Sequence, residues 1–192
     1  MHLNLMDPRL IAGGVLIVLV IIVCVALYLR KRRQTTAGLR KRFGPEYDRA
    51  VLEHGSGHKA ESKLADRETR VESLKIRELG ATERERYIAD WHAVQSRFVD
   101  HPKGAVTGAD ELVSSLMRAR GYPTADFDQR AADISVNHPR LVEYYRSAHE
   151  VAVRLGRDEA STEDLRTAMI QYRTIFDELV EVKSPGEIKS VA

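Results

Sequence analysis

The stretch "LIAGGVLIVLVIIVCVALYLRKRR", residues 10–33, sets the terms on which the rest of the chain is read. Residues 10–29 carry no charge at all, and four cations follow without a break. A helix rises 1.5 Å per residue, so about 20 residues match a hydrocarbon core of roughly 30 Å. A core helix of a water-soluble protein would show a polar face over that length, and this run shows none. Lipid offers the backbone no hydrogen-bond partners, so a helix is enforced there even on a Val- and Ile-rich run. The stretch therefore predicts a transmembrane helix over 10–29.

A cleaved secretion signal fits less well. It needs a basic start, a shorter apolar core and a small-x-small cleavage site. The start "MHLNLMDPR" sets one Arg against one Asp, and the apolar run ends in "ALYLRKRR". Cys24 does not read as a lipidation site, because Val23 stands where processing favours a small residue. Orientation follows from the cations. Arg30, Lys31, Arg32 and Arg33 abut the run, Arg40, Lys41 and Arg42 follow, and Arg9 lies on the other side. The positive-inside rule places everything C-terminal in the cytoplasm and residues 1–9 outside, with Tyr28 at the interface.

Charge is segregated along the chain, which the net +2 conceals. Residues 30–49 carry eight Lys and Arg against two Asp and Glu, a balance of +6. Residues 81–182 carry thirteen against eighteen, a balance of −5. Near a membrane each Lys or Arg gains about 1 kcal/mol from anionic lipid. A nucleic-acid binder would carry its basic stripe on the folded domain. The expected partners are anionic headgroups and a protein of unspecified identity, with no nucleic acid. A membrane-tethered regulatory or nucleic-acid-associated protein is the alternative, and it would need a basic helix in the distal region. The single cysteine falls inside the apolar run, leaving no disulfide framework and no cysteine metal site.

Residues 30–57 read as a basic juxtamembrane segment. Gly44-Pro45 is a helix-start signal. Leu39, Phe43, Tyr47 and Val51 recur every four residues. That stripe lies in the headgroup region or packs on a neighbouring helix, and spacing alone does not choose. On the first reading Phe43 and Tyr47 join the seven cations as lipid contacts. "HGSG" then breaks the helix. Residues 58–80 read as a charged, solvated helical spacer. Ala60, Leu64, Val71 and Leu74 fit an a/d pattern too short for a coiled coil, though long enough to pair lightly with a second copy.

Residues 81–182 predict five helices with short loops, an all-α bundle. Thr82 and Glu85 have capping-box spacing, with Tyr87, Ile88, Trp91, Val94 and Phe98 facing inward. Gly121 stops the next helix. A short helix buries Phe127, Ala131 and Ile134, and Asp126, Asp128 and Asp133 are read as favoured by its N-terminal dipole. Asn137 is expected to cap a helix starting near Pro139, and Ser161 the last one. Residues 183–192 form a frayed tail.

Catalytic signals are absent from this reading. His54 and His58 are separated by glycines, His92 lacks a partner one turn away, and His101 and His138 precede prolines. None makes a metal site. His149, one turn past Tyr145, reads as a core or rim histidine. No phosphate loop or nucleophile elbow occurs. The sequence predicts no enzyme, no metal and no cofactor.

The segments "KRFGPEYDRAV", "ERERYIADWHAVQSRFVDHP", "MRARGYP", "FDQRAADISVNHPRLVEYYRSAH" and "STEDLRTAMIQYRTIFDELVEV" together resemble a group of bacterial single-pass membrane proteins often labelled hypothetical or secreted. The resemblance implies bacterial origin and membrane attachment. It carries over no activity, ligand or catalytic residue, and the secreted label conflicts with the retained anchor.

Overall fold

The computed structural model describes residues 8–123 and 126–181, with side chains throughout except at 8–16, 18, 28 and 31–33. Both terminal tails expected from the sequence lie outside the described residues, apart from Pro8 and Arg9. The described residues form helices and no strands, the all-α class expected. Two compact units divide the chain, residues 1–42 and 43–192.

The first unit contains helix α1, which runs Pro8–Phe43 and so ends just inside the second. Ile17, Leu19, Val20, Ile21, Ile22, Val23, Val25, Leu27 and Leu29 are all about half exposed or more. Among the described residues no helix is long and apolar enough to cross a membrane. Within the apolar run at 10–29 the side chains of residues 10–16, 18 and 28 lie outside those described. The membrane-spanning character expected for that run is thus not established by the fold.

The second unit opens with a helical hairpin, α2 (Pro45–His54) and α3 (Gly57–Ser73). Gly44 adopts φ 52° and Pro45 supplies the first helical residue, as the sequence predicts. Gly55 ends α2 in the left-handed conformation, and the Ser56 hydroxyl accepts from the Lys59 amide to start α3. Phe43, Tyr47 and Ala50 are buried, as are Ala60, Leu64 and Val71 on α3. Residues 58–80 are therefore not a solvated spacer. α3 packs on α2 and also, through α6 (Phe127–Asn137), on the bundle.

From Leu74 the chain runs extended to Gly80 and is pinned to the bundle. The Arg77 amide donates to the Arg120 carbonyl at 2.9 Å, and Leu79 is buried in the main core. Gly121, at φ 95°, makes this approach feasible, since a Cβ there would sit 2.5 Å from the Lys75 carbonyl oxygen.

The bundle proper consists of α4 (Ala81–Ser96), α5 (Pro102–Ala119), α6, α7 (Leu141–Gly156) and α8 (Thr162–Glu181). α8 packs on both α7 and α5, with α4 against α5 and α6 against α7. Trp91, Val113, Leu116, Ile134, Tyr145, Tyr172 and Phe176 meet in one core. At about 25 cal/mol per Å² of apolar surface removed from water, such a core is the principal stabilising element.

Four expectations need correction here. α4 is capped two residues earlier than predicted, by Glu83 accepting the Gly80 amide at 3.0 Å. Ile88 points outward, about one third exposed. Asn137 ends α6 instead of starting the next helix, because His138 and Pro139 intervene before Leu141. Finally α6 is buried at every position from 131 to 136, so it is covered on both sides rather than on one.

Candidate functional site

The residues expected to touch lipid divide between the two units. Arg40, Lys41 and Arg42 form the exposed last turn of α1, where cations favour the negative end of the helix dipole. Arg30 is exposed, and the side chains of Lys31, Arg32 and Arg33 lie outside those described. Phe43 and Tyr47 do something else. Phe43 is fully buried, and Tyr47 is 4% exposed with its hydroxyl donating to Glu61 Oε1 at 3.0 Å across the hairpin. Their assignment to lipid is corrected: Phe43 and Tyr47 are packing residues, and the headgroup candidates reduce to the cations.

Next to that stripe lies the first of three polar clusters. Glu46, in the first turn of α2, is only 3% exposed. Its Oε1 accepts from Arg146 of α7 at 2.9 Å and from Arg67 of α3 at 3.2 Å, so one carboxylate ties three helices. Both arginines are themselves mostly buried, and Arg146 also reaches the exposed Asp128 at 3.7 Å. Removing one partner of such a buried pair costs about 3–5 kcal/mol, because the survivor stays desolvated.

A second carboxylate repeats the arrangement nearby. Asp133, fully buried on α6, accepts at Oδ1 from Arg70 of α3 at 3.0 Å and from Gln129 at 2.8 Å. Its place in the middle of α6 corrects the reading of Asp133 as a first-turn residue; Asp126 is the true cap, accepting the Gln129 amide at 2.8 Å. Between the two clusters lies an open groove of about 380 Å³, lined by Arg67 and Arg70 with Glu53, Asp66, Asp126 and Asp128. Both signs of charge line it, which favours neither an anion nor a cation.

The third cluster, in the bundle, involves the histidine singled out from the sequence. Asp110 on α5 accepts from the Tyr172 hydroxyl at 2.8 Å. His149 Nδ1 approaches the same oxygen at 3.6 Å, while its ring stacks on Phe127 with centroids 3.7 Å apart. Burial alone would raise the Asp110 carboxyl, but the His149 imidazole and the Tyr172 hydroxyl outweigh it and hold the group below the usual range. Burial, reinforced by that carboxylate, pushes the Tyr172 hydroxyl far above its ordinary value. Arg130 Nε donates to Tyr145 Oη at 3.1 Å beside it. An aspartate and a histidine in contact invite a catalytic reading. His149 Nδ1 is buried without a hydrogen-bond partner. The cluster is a polar seam that joins α5, α7 and α8.

Arg120 shows the same use of charge. It is 1% exposed, and its guanidinium donates to the carbonyls of Leu179 and Arg77 at 2.9 and 3.3 Å. Among the described residues no group of three or more His, Cys, Asp and Glu side chains could hold a metal ion. Glu46, Arg120 and Asp133 were missed by sequence reasoning because a charged residue in an amphipathic helix ordinarily faces water. Their only sequence signal is weak: Asp133 sits between Ala132 and Ile134, inside a run too apolar for one solvated face.

No family model, curated protein or solved structure matches this chain.

Proposed function

We propose that the protein is a single-pass membrane protein of bacterial type whose helical domain lies in the cytoplasm and acts as a protein-interaction module without catalysis. The observation that carries this reading is the exposure of α1. Residues 19–23 advance through more than a full helical turn, yet Leu19, Val20, Ile21, Ile22 and Val23 are each 53–57% exposed. A helix apolar on every side is stable only when something apolar surrounds it, and a bilayer does that without a dedicated protein partner. The cations at Arg30 and after set the direction, and their +6 balance suits anionic headgroups. An interaction role fits a domain whose buried charges hold helices together rather than reach a reacting centre.

A reporter that is active only in the cytoplasm, fused after Ala192, tests the topology. Activity is the expected outcome, and replacing Arg30, Lys31, Arg32 and Arg33 by neutral residues should weaken it. Activity of an export-dependent reporter at the same position would reverse the orientation. A chain released from membranes by high salt or alkaline washing would remove the anchor altogether.

A further inference from the structure

We propose that the α2–α3 hairpin is a latch that opens from the bundle as a unit, uncovering the side of α6 that carries Asp133. The main apolar core contains residues from α4 to α8 and from the pinned 74–80 segment, but none from α2 or α3. Outside that core the hairpin buries Tyr47 and Ala50 on one helix and Ala60, Leu64 and Val71 on the other. Charge ties it to the bundle: Glu46 pairs with Arg146, and Arg70 with Asp133.

That fastening is incomplete. Asp133 Oδ2 and Arg146 Nε are buried without hydrogen-bond partners. An interior polar atom left unpaired in the closed state lowers the cost of opening, since water can reach it once the hairpin lifts. Helices packed through imperfectly paired polar groups open below the global unfolding energy more readily than helices sharing an apolar core. The hinge is also defined. α3 ends at Ser73, and the chain is held again at Arg77 and Leu79, so opening is arrested there and need not propagate into α4. Only Gly44 separates α1 from α2, which puts the latch where the proposed tether enters the folded unit. The inference stands whether or not α1 lies in a bilayer.

Hydrogen–deuterium exchange on the full-length chain in detergent micelles, read peptide by peptide, tests it. Amides of α2 and α3 should exchange at least tenfold faster than those of α5 and α8. Glu46→Gln should accelerate α2, α3 and α6 about tenfold further and leave α5 and α8 unchanged. Arg70→Gln, which removes a half-exposed partner and is the milder change, should act in the same direction. Equal protection of α3 and α8 in the unaltered chain would overturn the latch. So would a uniform acceleration of every helix in both variants, because hairpin and bundle would then form one cooperative unit.

Discussion

Trp91 shows how much one side chain can hold. It is 3% exposed and stacks on Phe176 of α8, with ring centroids 4.9 Å apart and planes 18° from parallel. Its apolar body fills the space between α4 and α8, but its Nε1 is buried without a partner. Two terms therefore compete on substitution. Trp91→Ala removes the packing and leaves a cavity, costing about 3–5 kcal/mol. Trp91→Phe retains much of the ring and deletes an unsatisfied donor, whose burial costs about 1–3 kcal/mol, so it should destabilise far less. Urea unfolding followed by circular dichroism measures both, and equal losses would mean that the phenyl ring recovers none of the packing between α4 and α8. The burial of Trp91 was legible in the sequence from its spacing with Tyr87, Val94 and Phe98. The unpaired Nε1 was not, because spacing reports which face a residue occupies and not what its polar atom meets.

Among the helices, α8 has the most completely specified start. The Ser161 amide and hydroxyl both donate to Asp164 Oδ2, at 2.9 and 2.7 Å, and the Asp164 amide donates back to Ser161 Oγ at 3.2 Å. With Arg154 at 3.1 Å, these bonds hold the Asp164 carboxyl at about 2, the Ser161 hydroxyl having the largest effect. The ordinary carboxyl value is about 3.9 in an unfolded chain. Ionised Asp164 therefore stabilises the fold above about pH 4, and that contribution disappears as the pH falls through about 2. Asp164→Asn should flatten the loss of thermal stability between pH 4 and 2. An unchanged slope in a melting series would show that the cap is already broken in solution. Ser161 was readable as a cap because the apolar periodicity of α8 begins just after it. At α4 the same logic chose Thr82 and Glu85 over Gly80 and Glu83, since glycine has no side chain to announce a cap.

At the scale of the molecule, the elements of residues 43–192 differ in what the sequence could say about them. Four of the five bundle helices, α4, α5, α7 and α8, follow from periodicity because each buries one stripe against the others. α3 and α6 escape that logic, since their contacts run through Arg70, Asp133 and Glu46, which a one-face pattern assigns to water. The stripe of Phe43 and Tyr47 fits lipid and protein equally, and only tertiary structure separates the two. With those rings buried, any lipid affinity of residues 30–49 rests on charge. A truncated chain beginning at Gln34 keeps Arg40, Lys41, Arg42 and Arg49, and it should sediment weakly with anionic vesicles and less with neutral ones. Binding should fade steeply with salt, because exposed charges are screened within about 8 Å at physiological ionic strength. Phe43→Ala should lower the stability of the hairpin without weakening adsorption. Failure to sediment even at low salt would reduce the cations to a topology signal.

Trp91 is also the chain's single tryptophan, and its position between α4 and α8 has an optical consequence. Indole emission from this protein is a local gauge of the bundle interior, blind to residues 45–73. Backbone ellipticity counts every helix alike. Where the lifted hairpin unwinds, the second signal dims while the first stays constant, and the gap between the two measures how much of the population has lost α2 and α3.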